Sequence, residues 1–303
     1  GGTKQGSLTF APEAGTQRLR NIVNKGLTDA DLIEGVRTAM RHGWRKLKLY
    51  FMIGLPGETD DDVHGIANTV EMLRYEMRDI GRLELNLTIS NFTPKPHTPF
   101  QWHSVSSAEF LRRQKLLKER FAELRGLKVN YTDVRLSAME DFIGRGDQSL
   151  AAVIEAAWRA GAGMDAWFDN IERTYGAWTG AIEAAGMGGR YRALEMGSWA
   201  ELQALTPAQR QQRCSEPLPW DHIDSGVSKQ WLQEDLERAL REQQLPDCSF
   251  DSCSHCGVCG EGLGHNVVLP AAPVPAIAKP RKPPNNQVAR LLVCFAKTAE
   301  MAL

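Results

Sequence analysis

The sequence lacks an excess of charge of either sign, a long apolar run, and a generous set of cysteines. Each shortage removes a class of protein. Lys and Arg number 36 against 37 Asp and Glu, for a net charge of −1. A chain built to hold a polyanion carries a basic surplus, and overall there is none. No apolar stretch reaches the roughly 20 residues that span a bilayer. The first residues also lack the basic-then-apolar pattern of a secretion signal, so a soluble, cytoplasmic protein with no membrane partner is expected. Six cysteines in 303 residues are too few for a disulfide scaffold.

What is present suffices for two modest domains, since 42% of the residues are hydrophobic. The chain opens Gly1-Gly2-Thr3 and enters an apolar, strand-like run by Leu8. It stops at Leu303, soon after Arg290–Lys297 begins what reads as another strand. Neither end has a tapering polar composition, and the chain reads as a piece of a longer protein.

Residues 1–126 alternate strand and helix. Ser7–Ala11, Lys46–Ile53 and Glu84–Phe92 have strand patterns, and the apolar Tyr50-Phe-Met-Ile53 end of the second reads as buried on both faces. Thr28 and Thr59, each followed by acidic residues, open helices with apolar stripes through Leu32, Val36 and Met40 and through Val63, Ile66 and Val70. Ser106-x-x-Glu109 is a capping-box pattern opening a third. In the third strand Leu85, Leu87 and Ile89 face one way, and Asn86, Thr88 and Ser90 the other. Repeated strand–helix units predict a parallel sheet, either a barrel or a doubly wound sheet. Residues 127–245 read as mainly helical after one more alternating stretch, Leu127–Val134. Leu150, Val153, Ile154, Ala157 and Trp158 form one stripe, and six of the eight Trp lie between 158 and 231, as anchors for a small helical core. Residues 246–265 hold the cysteines, 266–287 form a Pro-rich linker, and 288–303 open a further domain.

Three irregular motifs follow strands: Ala11-Pro-Glu-Ala-Gly-Thr16, Gly54-Leu-Pro-Gly-Glu58 and Thr93-Pro-Lys-Pro-His-Thr-Pro99. Ligands of parallel sheets and barrels lie at that C-terminal edge. Each motif alone could be an ordinary turn; three on one edge point to a site. Cys248-x4-Cys253-x2-Cys256-x2-Cys259 puts four thiols within twelve residues, enough to wrap one ion or cluster. The Cys-x4-Cys-x2-Cys part has the spacing of plant-type ferredoxins, which favours iron–sulfur, while Zn remains compatible. His255 and His265 are either substitute ligands or solvent-facing. Cys214 and Cys294 read as small apolar residues.

The stretches Leu8-Thr-Phe-Ala-Pro-Glu-Ala-Gly-Thr-Gln-Arg-Leu-Arg20, Asn24-Lys-Gly-Leu-Thr28 and Tyr50-Phe-Met-Ile-Gly-Leu-Pro-Gly-Glu-Thr59 resemble the fourth and fifth strand regions of radical S-adenosylmethionine (SAM) proteins. The likeness is to methylthiotransferase-like members and to a group with an upstream cobalamin-binding-type domain. Trp220–Lys229, the cysteine cluster and residues 288–303 resemble the segments C-terminal to the barrel in that group. The resemblance implies an α/β fold, the C-terminal half of a partial (β/α)6 barrel with strands four to six. It implies a radical SAM enzyme that cleaves SAM reductively and modifies an unknown substrate, by methylthiolation-like or methylation chemistry on RNA or protein. The implied cofactors are SAM, a catalytic [4Fe–4S] cluster, cobalamin through the upstream domain, and a second cluster or Zn at the C-terminal cysteines. A flavodoxin- or ferredoxin-type reductant is the implied partner. Position by position, Glu13 and Lys25 match residues at the amino-acid end of SAM, Met52, Ile53 and Gly54 the strand packed on adenine, and Asn86, Ser90 and Asn91 the nucleoside contacts. The catalytic cluster of such enzymes is held by Cys-x3-Cys-x2-Cys, which this sequence lacks. This chain alone is therefore expected to be inactive in radical chemistry.

Two other readings compete. One is a non-radical (β/α) barrel whose Gly54–Glu58 loop holds phosphate. The other is a metal-stabilised module that binds a partner such as RNA, using the local basic helix of Arg112, Arg113, Lys115, Lys118 and Arg120, which reads equally as a solvated face. Asp221, His222 and Asp224 serve either acid–base work or loop bracing.

Overall fold

A computed structural model describes residues 6–103, 106–197, 202 and 205–259. His265, Cys294, the Pro-rich linker and the segment 288–303 lie outside the described residues. The first half runs β1 (Leu8–Glu13), α1 (Gln17–Ile22), α2 (Asp29–Arg41), β2 (Lys46–Ile53), α3 (Asp60–Glu76), β3 (Glu84–Asn91), α4 (Ser107–Ala122) and β4 (Leu127–Tyr131). Helices continue the chain: α5 (Val134–Gly144), α6 (Leu150–Arg159), α7 (Ile171–Ala184), α8 (Gly188–Glu195), α9 (Pro207–Ser215) and α10 (Lys229–Leu240).

Local chemistry sets the helix starts. The Thr28 side chain accepts the Asp31 N–H at 3.1 Å, and the Asp31 carboxylate accepts the Thr28 N–H at 2.9 Å. Thr59 and Asp62 repeat this reciprocal pair at the start of α3. Each such cap stabilises its helix by about 1 kcal/mol. The pattern at Ser106 is half realised. Its hydroxyl accepts the Glu109 N–H at 3.3 Å, but the Glu109 carboxylate turns to Arg112 and Arg113.

The sheet order is β1-β2-β3-β4, every pair parallel. Register places Leu49, Leu87 and Val129 abreast, then Phe51, Ile89 and Tyr131. Leu47, Leu49, Phe51, Ile53, Leu85, Leu87 and Ile89 are buried in one cluster with Val36, Met40, Ile66, Val70, Phe110 and Leu117 from α2, α3 and α4. The alternate residues form the other face. Lys48, Asn86 and Lys128 lie abreast, then Tyr50, Thr88 and Asn130, then Met52 and Ser90. All of these are exposed or half-exposed. The expectation that the end of β2 is buried on both faces therefore fails at Tyr50, which is 37% exposed, because no layer covers that side of the strand among the described residues. The boundary expected at 126/127 also falls inside the sheet, since Leu127–Tyr131 is hydrogen-bonded to β3, and the helical region begins at Val134.

The helical region has its own small core of Phe142, Val153, Trp178, Ile182 and Tyr191. Of the stripe expected on α6, Leu150, Val153 and Ala157 point inward, whereas Ile154 is exposed and Trp158 is 67% exposed. Trp178 and Trp220 are buried anchors, and Trp167 is exposed. Among the described residues no helix is long and apolar enough to cross a membrane.

One close approach fixes the β1–α1 turn against α3. A Cβ on Gly15 would lie 2.3 Å from the Asp62 carbonyl oxygen and the Ile66 nitrogen, and one on Gly65 would lie 2.6 Å from the Gly15 oxygen. Both neighbours are backbone and cannot yield cheaply. Gly15→Ala and Gly65→Ala should each destabilise the protein by about 2 kcal/mol or more in urea unfolding. Gly26→Ala, with nothing within 4 Å of its Cβ, is the control. Equal stabilities for all three would contradict the packing.

Candidate functional site

The three motifs do converge on one edge, the C-terminal ends of the strands. β1 ends irregularly: its register with β2 shifts between Phe10 and Glu13, and Glu13 takes a left-handed backbone (φ 69°) that side chains other than Gly seldom adopt. From there the Glu13 carboxylate meets the Lys25 ammonium at 3.1 Å. Lys25 is held by its own backbone, whose N–H donates to the Arg20 carbonyl at 2.8 Å, just after the left-handed Asn24 (φ 53°). Both side chains remain partly open to solvent. The edge thus carries one group of each sign side by side.

At the end of β2, Gly54 has φ 82° and donates its N–H to Glu58 Oε2 at 2.6 Å. Glu58 is buried and paired with Arg113 Nη1 at 2.9 Å, and Arg113 also donates to the Glu58 carbonyl at 3.2 Å. Burial pushes the Glu58 carboxyl up to about 8, against the opposing pull of Arg113 and the Gly54 N–H. On the other side the buried His103 bonds the Gly54 backbone. Desolvation, with help from Arg145, drives its imidazole down to about 3. The Gly54–Glu58 turn is therefore clamped from both sides, and His103 is neutral at ordinary pH.

The residues matched to SAM contacts separate by face. Met52 borders a cavity of about 380 Å³ together with Ile22, Leu55, Phe92, Phe100 and Ala239. Ile53, its neighbour, points the other way into the helix-packed core. Asn86 and Ser90 lie on the bare sheet face. Asn91 does not join them. It is buried on the helix side, donating to Ser137 Oγ at 2.9 Å and the Thr132 carbonyl at 3.2 Å while accepting from Gln114 at 3.2 Å. A period of two puts it on the face of Leu87 and Ile89. Thr93 also borders the cavity, and its buried hydroxyl has no hydrogen-bond partner among the described residues.

Two features therefore stand at this edge: the Glu13–Lys25 pair of opposite charges, and a cavity walled by Met52, Leu55 and Phe92 with the Thr93 hydroxyl unused, which neither Glu13 nor Lys25 lines. A [4Fe–4S] cluster at this edge has no ligands among the described residues, because the cysteines at 248–259 belong to a loop beyond α10 and Cys214 is buried in a separate apolar cluster.

Sequence reasoning missed His103, and placed Thr93 and Glu58 only as parts of turns. It assigned Arg113 to a basic helix rather than to this clamp. In the structure that helix is largely neutralised: Arg112 pairs with Asp60 and Glu109, and Arg120 with Glu71 and Glu123. Asp221 accepts from the Leu218 N–H at 2.8 Å and from Lys229 at 2.6 Å, and Asp224 from the Gly226 N–H at 2.8 Å, so these carboxylates brace their loop. His222 is exposed.

No protein-family description matches the chain. It is 30% identical over 153 residues, half of its length, to an uncharacterized protein of Methanocaldococcus jannaschii. That match spans about a third of the relative (33%).

The buried imidazole sets an acid limit. His103 is held well below its ordinary value, so the unfolded chain binds a proton that the folded chain refuses. The stability it contributes is complete above about pH 6.5 and is lost as pH falls toward 3, on the order of 5 kcal/mol in all. His103→Gln should remove this part of the acid slope in pH-dependent unfolding. An unchanged slope would show that His103 is not held neutral.

Proposed function

We propose that the chain is the C-terminal part of a radical SAM barrel, which binds SAM at the C-terminal edge of β1–β3 for an enzyme whose cluster-holding segment is not in this sequence. The observation that carries the reading is the half-clothed parallel sheet. Helices α2, α3 and α4 lie on one face, the other face is polar and open except around Met52, and three Gly/Pro-rich turns with the Glu13–Lys25 pair and an apolar cavity stand at its C-terminal edge. Parallel sheets are normally covered on both sides, by helices or by closure into a barrel. The resemblance of Leu8–Arg20 and Tyr50–Thr59 to radical SAM strand regions supplies the chemistry: SAM bound to a cluster yields a 5′-deoxyadenosyl radical. In this account Glu13 and Lys25 orient the methionyl end, and Met52 and Gly54 flank the adenine. Asn86 and Ser90 face the nucleoside, and the Glu58–Arg113–His103 clamp holds Gly54 in place. Ile53 and Asn91 support the sheet from the helix side. The RNA-binding reading loses its basic helix to internal ion pairs.

The test joins this chain to a segment bearing Cys-x3-Cys-x2-Cys in one polypeptide, reconstituted anaerobically. SAM should be cleaved to 5′-deoxyadenosine on reduction. Glu13→Ala and Lys25→Ala should each weaken SAM binding about tenfold, the worth of one charge-assisted contact. Absence of 5′-deoxyadenosine, or unchanged affinity in both variants, would overturn the assignment.

A further inference from the structure

Residues 244–259 pose a packing problem. They form no helix or strand, and none of them joins an apolar cluster. Phe250 is 82% exposed, and Val258 is exposed as well. Such a segment has no core to hold it. Yet Cys248, Cys253, Cys256 and Cys259 all lie in it, three half-exposed, one exposed, and none in a disulfide. A cysteine kept for packing is normally buried, as Cys214 is at 2% exposure, with a thiol that burial pushes up to about 11. Four thiols at the surface within twelve residues are not explained that way.

The backbone around them is nonetheless specific. The His255 N–H donates to Cys253 Sγ at 3.3 Å, which holds that sulfur at the bend of the turn. His255 and Gly257 both have left-handed backbones (φ 56° and 103°), which bend the chain around the Cys253–Cys256 turn. At position 257 only Gly fits, since a Cβ would lie 2.9 Å from the Gly226 oxygen. The turn is moored to the start of α10, where the Ser228 N–H donates to the Cys256 carbonyl and the Trp231 indole N–H to the Ser254 carbonyl, both at 2.7 Å. Among the described residues no three His, Cys, Asp or Glu side chains are gathered as a metal would require. The backbone of the turn is thus shaped, while the four thiols do not meet at one point.

We propose that Cys248, Cys253, Cys256 and Cys259 bind one thiophilic metal centre, nucleated at the Cys253–Cys256 turn, and that this centre fastens residues 244–259 to the start of α10. The inference stands apart from the SAM reading and from the cleft at the sheet edge. Binding forms four metal–sulfur bonds and releases the four thiol protons to solvent. The metal replaces the apolar core that the segment lacks, and metal affinity appears directly as stability of the segment. Zinc(II) as a single ion, or iron with inorganic sulfide as a cluster, fits the same four thiolates.

The experiment uses the whole chain, reduced and stripped with a chelator under anaerobic conditions. One portion is titrated with zinc(II), and a second is reconstituted with iron(III) and sulfide in the presence of a thiol reductant, which together supply both oxidation states of a cluster. Either one zinc per chain, or iron and sulfide with the visible absorption of a cluster, should protect four of the six thiols from a thiol reagent. The loaded form should melt at a higher temperature than the stripped form. Cys253→Ser and Cys256→Ser should each weaken binding about 100-fold or more, beyond the cost of losing an outer partner of a ligand. Cys214→Ser should retain binding. Both Ser variants lie outside the apolar clusters and should keep the far-ultraviolet circular dichroism of the stripped parent. Failure of both zinc and iron to bind, or binding that survives Cys253→Ser and Cys256→Ser unchanged, would overturn the proposal.

Discussion

A parallel sheet with α2, α3 and α4 on one face, and a second face open along most of its length except where Met52 meets α1 and α10, is the constraint on which the rest of this structure depends. Its four strands send Leu, Ile and Phe side chains into α2, α3 and α4, and that side is a finished core. The opposite side carries Lys48, Tyr50, Asn86, Thr88 and Ser90 in two neighbouring rows, neither apolar enough to demand a covering layer nor charged enough to be an ordinary solvent surface. Such a face suits the lining of a barrel, where polar side chains meet a ligand and the apolar set faces outward to the helices. Sheet geometry also decides where the ligand edge falls, because every irregular turn at the C-terminal ends is brought to one rim.

That rim is held from behind by groups that do not face it. Gly54 must stand at φ 82°, and its peptide is fixed by Glu58 on one side and His103 on the other, with Arg113 closing the pair. Leaving a buried hydrogen-bonding group without its partner typically costs about 1–3 kcal/mol. The turn is therefore braced by buried contacts, although it lies at the edge of a cleft. Helix α10 contributes too. Ala239 packs with Leu19, Ile22 and Leu55, and Leu245 exchanges two 3.0 Å hydrogen bonds with the Asn24 side chain, tying the end of the helical region to α1 and the α1–α2 turn.

Much of this is legible in the sequence. Period-two and period-3.6 patterns, with Thr28 and Thr59 as caps, locate β2, β3, α2 and α3 within a residue or two, and they put Leu85 and Asn86 on opposite faces. Short elements are less visible. α1 is six residues long and has no stripe, and Leu127–Tyr131 reads as alternating but not as a sheet member, because pairing is a tertiary fact. Asn91 is misplaced for a simple reason. Three polar candidates on one strand invite grouping, while alternation sends the odd-numbered one to the helices. Arg113 and His103 act across 55 and about 50 residues of chain, and no local pattern announces a partner at that distance.

The central claim is that the bare sheet face becomes the inside of a closed barrel. Covalent labelling of Lys46, Lys48 and Tyr50, read residue by residue by mass spectrometry, tests it most directly. It should be carried out on this chain alone and on the polypeptide that joins it to a Cys-x3-Cys-x2-Cys segment. The account predicts rapid labelling of all three in the chain alone and strong protection of Lys48 and Tyr50 in the joined protein, with labelling of the helix-borne Lys115 unchanged. Equal labelling of Lys48 and Tyr50 in both would contradict it.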